Sequence, residues 1–381
     1  MVFQSEAKRV MNALISKSRR LRSTPFSQRV EAAGVKAYSV YNHMLLPAVF
    51  ESLEADYWHL CEHVQVWDVA AERQVELKGP DAARLAQLMT PRDLTKLDLL
   101  QGMYAPICNA QGFILNDPII IKIARDQFWI SVADSDIKLF AQGLAIGMSL
   151  DVEICEPNVS PLAVQGPKAE QLMVRVFGER IPKIRFFRGL MLEFKGQEMY
   201  VARSGWSKQG GFEIYLNDPA LGPVLWDELF AQGKDLHVRA GCPNNIERLE
   251  SGLLSYGNDM DEFDTPFECG LDSYLDLGAD IDSLSIEALR QKKNKVSRKL
   301  VGLAFHSAPN LGSENATGGY DVFHQGRYIG ELRSQAWSPR YNKQLALAML
   351  ELNFLEQNNV LEVAGQKSLF HSIPFNFDEL T

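Results

Sequence analysis

The sequence predicts an α+β fold, and three observations carry that expectation. Short strand-like runs are mixed with separate helix-like segments and do not alternate as regular βαβ units. No Gly-x-Gly-x-x-Gly follows a strand and no Walker loop is present, so the common nucleotide-binding folds lack their fingerprints. No repeat with a period of about 20–50 residues points to a solenoid or propeller. The 381 residues are 46% hydrophobic and 23% charged, enough apolar material for several packed cores.

Strand signals dominate the middle of the chain. Gln74 to Leu77 alternates polar and apolar residues, Pro118 to Ile123 is an apolar run, and Phe128 to Val132 and Glu198 to Ala202 are short β-rich segments. Helix-like stretches lie between them at Pro80 to Leu88, Ile137 to Ile146, Pro167 to Phe177 and Leu221 to Gln232. One further helix is well marked. Pro243 and Asn244 signal its start, Ile246, Leu249, Leu253 and Leu254 recur at helical spacing, and Gly257 is expected to stop it. A basic run, Arg290 to Lys295 with Arg298 and Lys299, separates a helix-like stretch (Ser285 to Leu289) from a strand-like one (Leu300 to Phe305). It reads as a solvated linker before a C-terminal domain, or as a site for a polyanionic ligand tail.

Charge and cysteine usage exclude several classes. A net charge of -9 and a pI near 5.4 argue against general nucleic-acid binding, although a few local cations can still hold a small anion. The five cysteines are scattered without CxxC spacing, so no zinc ribbon, redox motif or other metal site is expected. No apolar run reaches about 18 residues, so no membrane span is expected. The N-terminal stretch carries Lys8, Arg9, Lys17, Arg19, Arg20 and Arg22 without an apolar core, so it is not a secretory signal. A cytoplasmic location is expected, with organelle targeting as the alternative. Cytoplasmic residence leaves the sequons at Asn158 and Asn315 unused.

Three segments combine turn glycines with polar groups at strand ends. In Tyr104 to Pro118, Asn116 and Asp117 stand against the start of an apolar strand. A carboxylate there either caps the turn or faces a cavity, because burying it unpaired is costly. In Ala202 to Tyr215, Gly205, Gly210 and Gly211 let the backbone bend tightly around something, Trp206 and Lys208 sit in the loop, and Glu213 begins the next strand. Trp206 reads either as a ligand wall or as a core aromatic covered by its loop. The third segment is the marked helix and its exit, Asn244 to Met260, followed by Thr265 to Leu271. Taken alone, its Arg248 and Glu250 read as surface or domain-interface ion pairs.

In order and spacing these segments resemble the aminomethyltransferase (T-protein) superfamily. Gly112-x-x-x-Asn116-Asp117 resembles its Gly-Gly-x-x-Asp-Asp turn, and Gly211-Phe212-Glu213-Ile214 its Gly-Tyr-Glu-Ile pterin-binding strand. Glu247 to Gly252 and Tyr256 to Met260 resemble its Leu-Arg-Leu-Glu-Ala-Gly and Tyr-Gly-x-Asp helix. Ile329 to Ser334, with Ser338-Pro339, resembles its last-domain strand pair. The resemblance implies three domains around a central folate-binding cavity, the first two interwoven and the last a β-barrel-like domain. The expected ranges are 1–60 with 145–240, 61–144 with 241–290, and 296–381.

A narrower resemblance rests on longer stretches: Arg22 to Phe26, Tyr41 to Pro47, Ser204 to Gly211 and Arg239 to Asn244. It points to the branch that demethylates dimethylsulfoniopropionate with tetrahydrofolate as methyl acceptor. The departures from the T-protein pattern agree. Asn116 replaces an Asp associated with the lipoyl-bound aminomethyl group, and Trp-Ser-Lys-Gln-Gly replaces the usual Gly-Glu-Asp-Gly.

On this resemblance Glu213 contacts the pterin edge, and Arg248 contacts folate or holds Glu213. Asp117 and Asn116 line the methyl-transfer centre, Tyr104 walls the same cavity, and Trp206 faces the donor cation. Arg22, Lys208 and His43 are the candidate partners of the donor's carboxylate. Another onium or methylamine donor, such as glycine betaine, and a non-enzymatic folate-binding module are the alternatives. Against the latter, Thr265 to Leu271 lacks the Cys motif of the iron–sulfur assembly members. Homodimerisation is left open.

Overall fold

The chain is described by a computed structural model covering residues 18–309, 319–357, 360–363 and 366–375. Lys8, Arg9, Lys17 and the Asn315 sequon lie outside the described residues.

Period-two patterning builds two sheets from interleaved parts of the chain. The first runs in the order Gly189–Phe194, Gln197–Ala202, Gly211–Leu216, Ser160–Gln165, Gln65–Asp68, Arg239–Gly241. Its strands are antiparallel except for the last pair. Ser160–Gln165 is buried along its whole length, as a central strand covered on both faces should be. One face is covered by helices Ala169–Phe177 and Gly222–Gln232, where Leu172, Met173, Leu225 and Leu229 meet Leu162, Val164 and Ile214.

The second sheet is wholly antiparallel, in the order Glu153–Cys155, Gln74–Lys78, Gln127–Ser131, Ile119–Ala124, Gly102–Tyr104. Helices Ala82–Met89 and Ile137–Gly147 bury Leu85, Met89, Ile137 and Ala141 against it. Because Gln65–Asp68 joins the first sheet and Glu153–Cys155 the second, the chain changes sheets later than the expected breaks at residues 60 and 145.

The third part is a sheet of six strands from Arg298–Phe305 onward, with Lys343–Glu351 at its centre. Its edge strands Tyr320–His324 and Val360–Val363 pack against each other, curling it into a nearly closed barrel. Among the described residues no helix is long and apolar enough to cross a membrane.

The marked helix is shorter than its pattern. It spans Asn245–Ser251, with the Asn244 side chain capping the N–H groups of Ile246 and Glu247. It ends at Gly252, whose φ of 66° is left-handed. A Cβ on Gly252 would sit 2.5 Å from the Cα of Pro374. The close approach of the segment after the barrel's last strand, Gln366–His371, therefore favours a helix end at Gly252, before Gly257, and Leu253 and Leu254 continue as loop into the cavity wall.

Candidate functional site

One cavity of about 1810 Å³ is walled by all three parts. The first sheet contributes Glu213, the second Asp117 with Tyr104, and the barrel Leu300 and His371.

The glycine loop owes its shape to Gln165. That buried side chain donates to the Ser204 carbonyl at 3.0 Å and accepts from the Ser207 hydroxyl at 2.9 Å. A Cβ on Gly205 or Gly211 would fall 1.9 or 2.3 Å from its Nε2, so only glycine lets the loop wrap this amide. Buried Glu247 ties the loop from the other side, accepting from the Lys208 backbone N–H (2.9 Å), the Gln209 amide (3.1 Å) and the Ser251 hydroxyl (2.8 Å). Trp206, Lys208 and Glu213 are thereby presented to the cavity.

The cavity's charges are unbalanced. Glu213 accepts from the Ser204 hydroxyl and from the Tyr215 hydroxyl at 3.4 Å, and among the described residues no cation pairs with it. Asp117 accepts one bond, 3.0 Å from the Tyr104 hydroxyl. A third carboxyl, Glu72, lies at the end of the loop before Gln74–Lys78. All three sit deep in the protein and meet water only through the cavity. Burial pushes Asp117 up to about 7. Burial, and then repulsion from Glu213 and Asp117, pushes Glu72 up to about 8. Burial also raises Glu213, while its two hydroxyl donors oppose the shift. Burial thus pushes both carboxyls up, repulsion adds to the shift at Glu72, and the Ser204 and Tyr215 hydroxyls favour the ionised form of Glu213 over that of Glu72. The same desolvation drives the phenols of Tyr41 and Tyr104 well above their ordinary range.

Six of the nine expected site residues line this cavity: Tyr104, Asp117, Trp206, Lys208, Glu213 and Arg248. Arg248 does not hold Glu213. Its Nη1 pairs with buried Asp259 at 2.5 Å, its Nε meets Asn245 Oδ1 at 2.8 Å and its Nη2 meets Ser334 Oγ at 2.8 Å. Its guanidinium also lies 5.9 Å from the Trp206 ring centroid.

The other three lie elsewhere. Asn116 is fully buried, and its amide is used by Ser135 Oγ (2.6 Å), the Ala133 carbonyl (3.4 Å) and the Ala133 N–H (3.1 Å). It pins the 133–135 loop, because the strand alternation that aims Asp117 at the cavity turns its neighbour the other way. His43 is an exposed hairpin-turn residue with φ 60° between strands Ala37–Tyr41 and Met44–Val49. Arg22 pairs with Glu156, which Arg73 also holds, beside a smaller pocket.

Sequence reasoning missed Glu72 and Tyr41. Glu72 carried the signal that marked Asp117: a carboxylate between a short apolar run, Val69 to Ala71, and a strand. The basic run divides between the two readings given to it. Arg290 serves local structure, pairing with Glu287 and capping the Leu277 and Ala279 carbonyls, whereas Lys299 lines the cavity.

The GCVT N-terminal domain family matches residues 26–278, and the glycine cleavage T-protein C-terminal barrel domain matches 298–371. A dimethylsulfoniopropionate demethylase from Ruegeria pomeroyi is 51% identical over 92% of this chain and 95% of its own length. An aminomethyltransferase from Caldanaerobacter subterraneus is 29% identical over 84% of this chain and 85% of its own. The crystal structure of the glycine cleavage system aminomethyltransferase T from Bartonella henselae shares the fold. Its TM-score is 0.80 at 22% identity, over 93% of this chain and 98% of that one.

Proposed function

The chain belongs to the glycine cleavage T-protein family, and from that premise we propose that it demethylates dimethylsulfoniopropionate with tetrahydrofolate as the methyl acceptor. The observation that carries this reading is the meeting of Glu213 with Asp117 and Tyr104 in one cavity, in a chain 51% identical to a demethylase of that substrate. The five free thiols suit a reducing compartment, which supports a cytoplasmic location.

The residues fit a pterin. A carboxylate can accept two parallel hydrogen bonds from a ring N–H and an adjacent amino group, and Glu213, with hydroxyl donors and no cationic partner among the described residues, is placed to do so. Tetrahydrofolate supplies the nucleophilic nitrogen that accepts the methyl group. A sulfonium is already an activated donor with a neutral thioether as leaving group, so the chain's task is alignment and disposal of a proton. Alignment alone can contribute roughly 7–11 kcal/mol. Asp117, held by Tyr104 and close to half-protonated at neutral pH, is suited to receive that proton. Trp206 offers an aromatic face to the donor cation, worth about 2 kcal/mol when desolvated. Lys208 is the cavity-wall cation for the donor's carboxylate.

The test incubates purified protein with tetrahydrofolate and dimethylsulfoniopropionate and follows products by mass spectrometry, with glycine betaine and dimethylglycine run in parallel. Equimolar methylthiopropionate and 5-methyltetrahydrofolate, lost when folate is omitted, is the expected result. Folate binding with turnover of only one of the other donors overturns the substrate and keeps the family chemistry.

A further inference from the structure

Glu72 has no task in the mechanism above, and its surroundings are unusual for a buried carboxyl. Its carboxyl group makes no hydrogen bond or ion pair among the described residues; its hydrogen bonds are those of its backbone, whose N–H donates to the Val69 carbonyl and whose carbonyl accepts from the Gln74 amide. Arg73 is adjacent in sequence, but its guanidinium turns away to Glu156 and to the Val159 and Pro157 carbonyls. The titratable groups that act on Glu72 are Glu213 and Asp117 from the two sheets, Tyr41 from the hairpin strand and Tyr215. All are acids or phenols, and none is a cation. Burial and its two carboxyl neighbours favour the neutral acid of a group so placed.

We propose that Glu72 is the counter-charge for the onium centre of the methyl donor and sets the cavity's preference for a cation over a neutral molecule of the same shape. The proposal rests on the functional reading above and names which group selects the substrate's charge. Dimethylsulfoniopropionate brings a positive centre into a space walled by Tyr41, Tyr104 and Trp206 together with Glu72, Asp117 and Glu213, and among the described residues none of the cavity's cations, Lys208, Arg248 and Lys299, pairs with these three carboxyls. A cation beside Glu72 favours its ionised form, so the acid O–H gives its proton to solvent and the carboxylate pairs with the sulfonium. Methyl transfer then leaves a neutral thioether and releases one proton from the acceptor amine. With the cation gone, Glu72 takes up one proton and the cycle balances. Glu213 cannot serve instead, because its charge is committed to the Ser204 and Tyr215 hydroxyls and to the pterin edge.

The test compares dimethylsulfoniopropionate with 4-methylpentanoate, which has carbon in place of the sulfonium sulfur. Isothermal titration calorimetry is run on the full chain, alone and with folic acid, in two buffers of different ionisation enthalpy. KM for the sulfonium is the readout if affinity falls below the calorimetric range. Wild type is expected to bind the sulfonium at least about tenfold more tightly and to release protons on binding it but not on binding the carbon analogue. Glu72→Gln, which keeps the shape of the neutral acid, is expected to lose about tenfold or more for the sulfonium and to release none, with the carbon analogue unchanged. Glu72→Asp should retain the preference. Equal losses for both ligands in Glu72→Gln would mean a structural role and overturn the proposal, as would an undiminished cation preference. If wild type turns over no sulfonium at all, the functional reading has failed; if it does and Glu72→Gln keeps its preference, only this proposal has.

Discussion

Two layers of charge are built oppositely, one joining the helix Asn245–Ser251 and its exit to the barrel, the other lining the cavity. On the barrel side the charges are matched. Arg248 pairs with Asp259, Arg333 with Asp264 and Glu331, Arg298 with Asp264 and Glu268, and Glu250 has Arg340 at 4.0 Å besides the Tyr57 and Ser338 hydroxyls. On the cavity side stand Glu72, Asp117 and Glu213, with only hydroxyl donors on two of them and none on the third. Both layers cost desolvation, but only the first recovers it within the chain. A buried charge that finds its partner inside the protein is scaffold; a buried carboxyl left without one waits for something the protein does not contain.

The sharpest way to break this contrast is to make the matched layer unmatched. Arg333→Ala leaves Asp264, which is fully buried, with Arg298 as its remaining cationic partner. Removing one member of a buried pair costs about 3–5 kcal/mol. Urea unfolding should show a loss of that size, larger than any single carboxyl substitution in the cavity produces. A loss under about 1 kcal/mol would mean the matched layer is as tolerant as the cavity floor, and the contrast would fall.

The matched layer was the harder of the two to read in the sequence. Its partners lie far apart along the chain, as Arg298 and Arg333 do from Asp264, and nothing local marks them as a set. The elements themselves were legible, because Ala82–Met89, Ala169–Phe177, Gly222–Gln232 and the central strands carry their own periodicity. Residues read as lining a cavity were also legible wherever a local oddity marked them, such as the glycines around Gln165 or a carboxylate beside an apolar run. Asn116 and His43 show the limit. Motif position brought both into the expected site, yet side-chain direction is set by strand alternation in one and by a positive-φ turn in the other. The end of the marked helix shows the same limit, since Gly252 was decided by Pro374, a residue more than a hundred positions away.

Asn116→Ala sharpens the comparison at the next scale. The substitution strips Ser135 and the Ala133 N–H of their buried partner, which costs about 1–3 kcal/mol by thermal or chemical unfolding. Asn116 is satisfied inside the protein, so its loss should act on stability and leave KM for the donor within about twofold.

The unmatched layer should show itself in the pH dependence of stability. Burial pushes Glu72 up to about 8 in the folded protein from its ordinary 4.5, so the folded state binds a proton that the unfolded chain has released. Its contribution is full below about pH 4.5 and is lost as pH rises through about 8, at no more than about 1.4 kcal/mol per pH unit. His59, held down to about 4, acts in the opposite direction but only below its ordinary value of 6.5. Between pH 6.5 and 8 the urea midpoint of wild type should therefore fall more steeply than that of Glu72→Gln. Parallel curves would mean that Glu72 is already ionised in the folded protein.

The smallest expected effect concerns which cation meets the donor's carboxylate. Arg22, His43 and Lys208 have equal standing in the sequence, but they fall on opposite sides of the divide between satisfied and waiting groups. Arg22 is satisfied, by Glu156 and the Asn42 carbonyl, and lies outside the cavity. His43 is exposed at its hairpin turn. Lys208 lines the cavity, and the structure engages only its backbone N–H, through Glu247. If waiting groups are the ones that meet ligands, Arg22→Ala and His43→Ala should each shift KM for dimethylsulfoniopropionate by less than about twofold. Lys208→Ala should raise it about tenfold with kcat little changed, the mark of an interaction made equally in ground and transition states. A KM effect at Arg22 larger than at Lys208 would mean that a charge paired within the protein can also serve the ligand, and the rule drawn from the two layers would not hold at the cavity's rim.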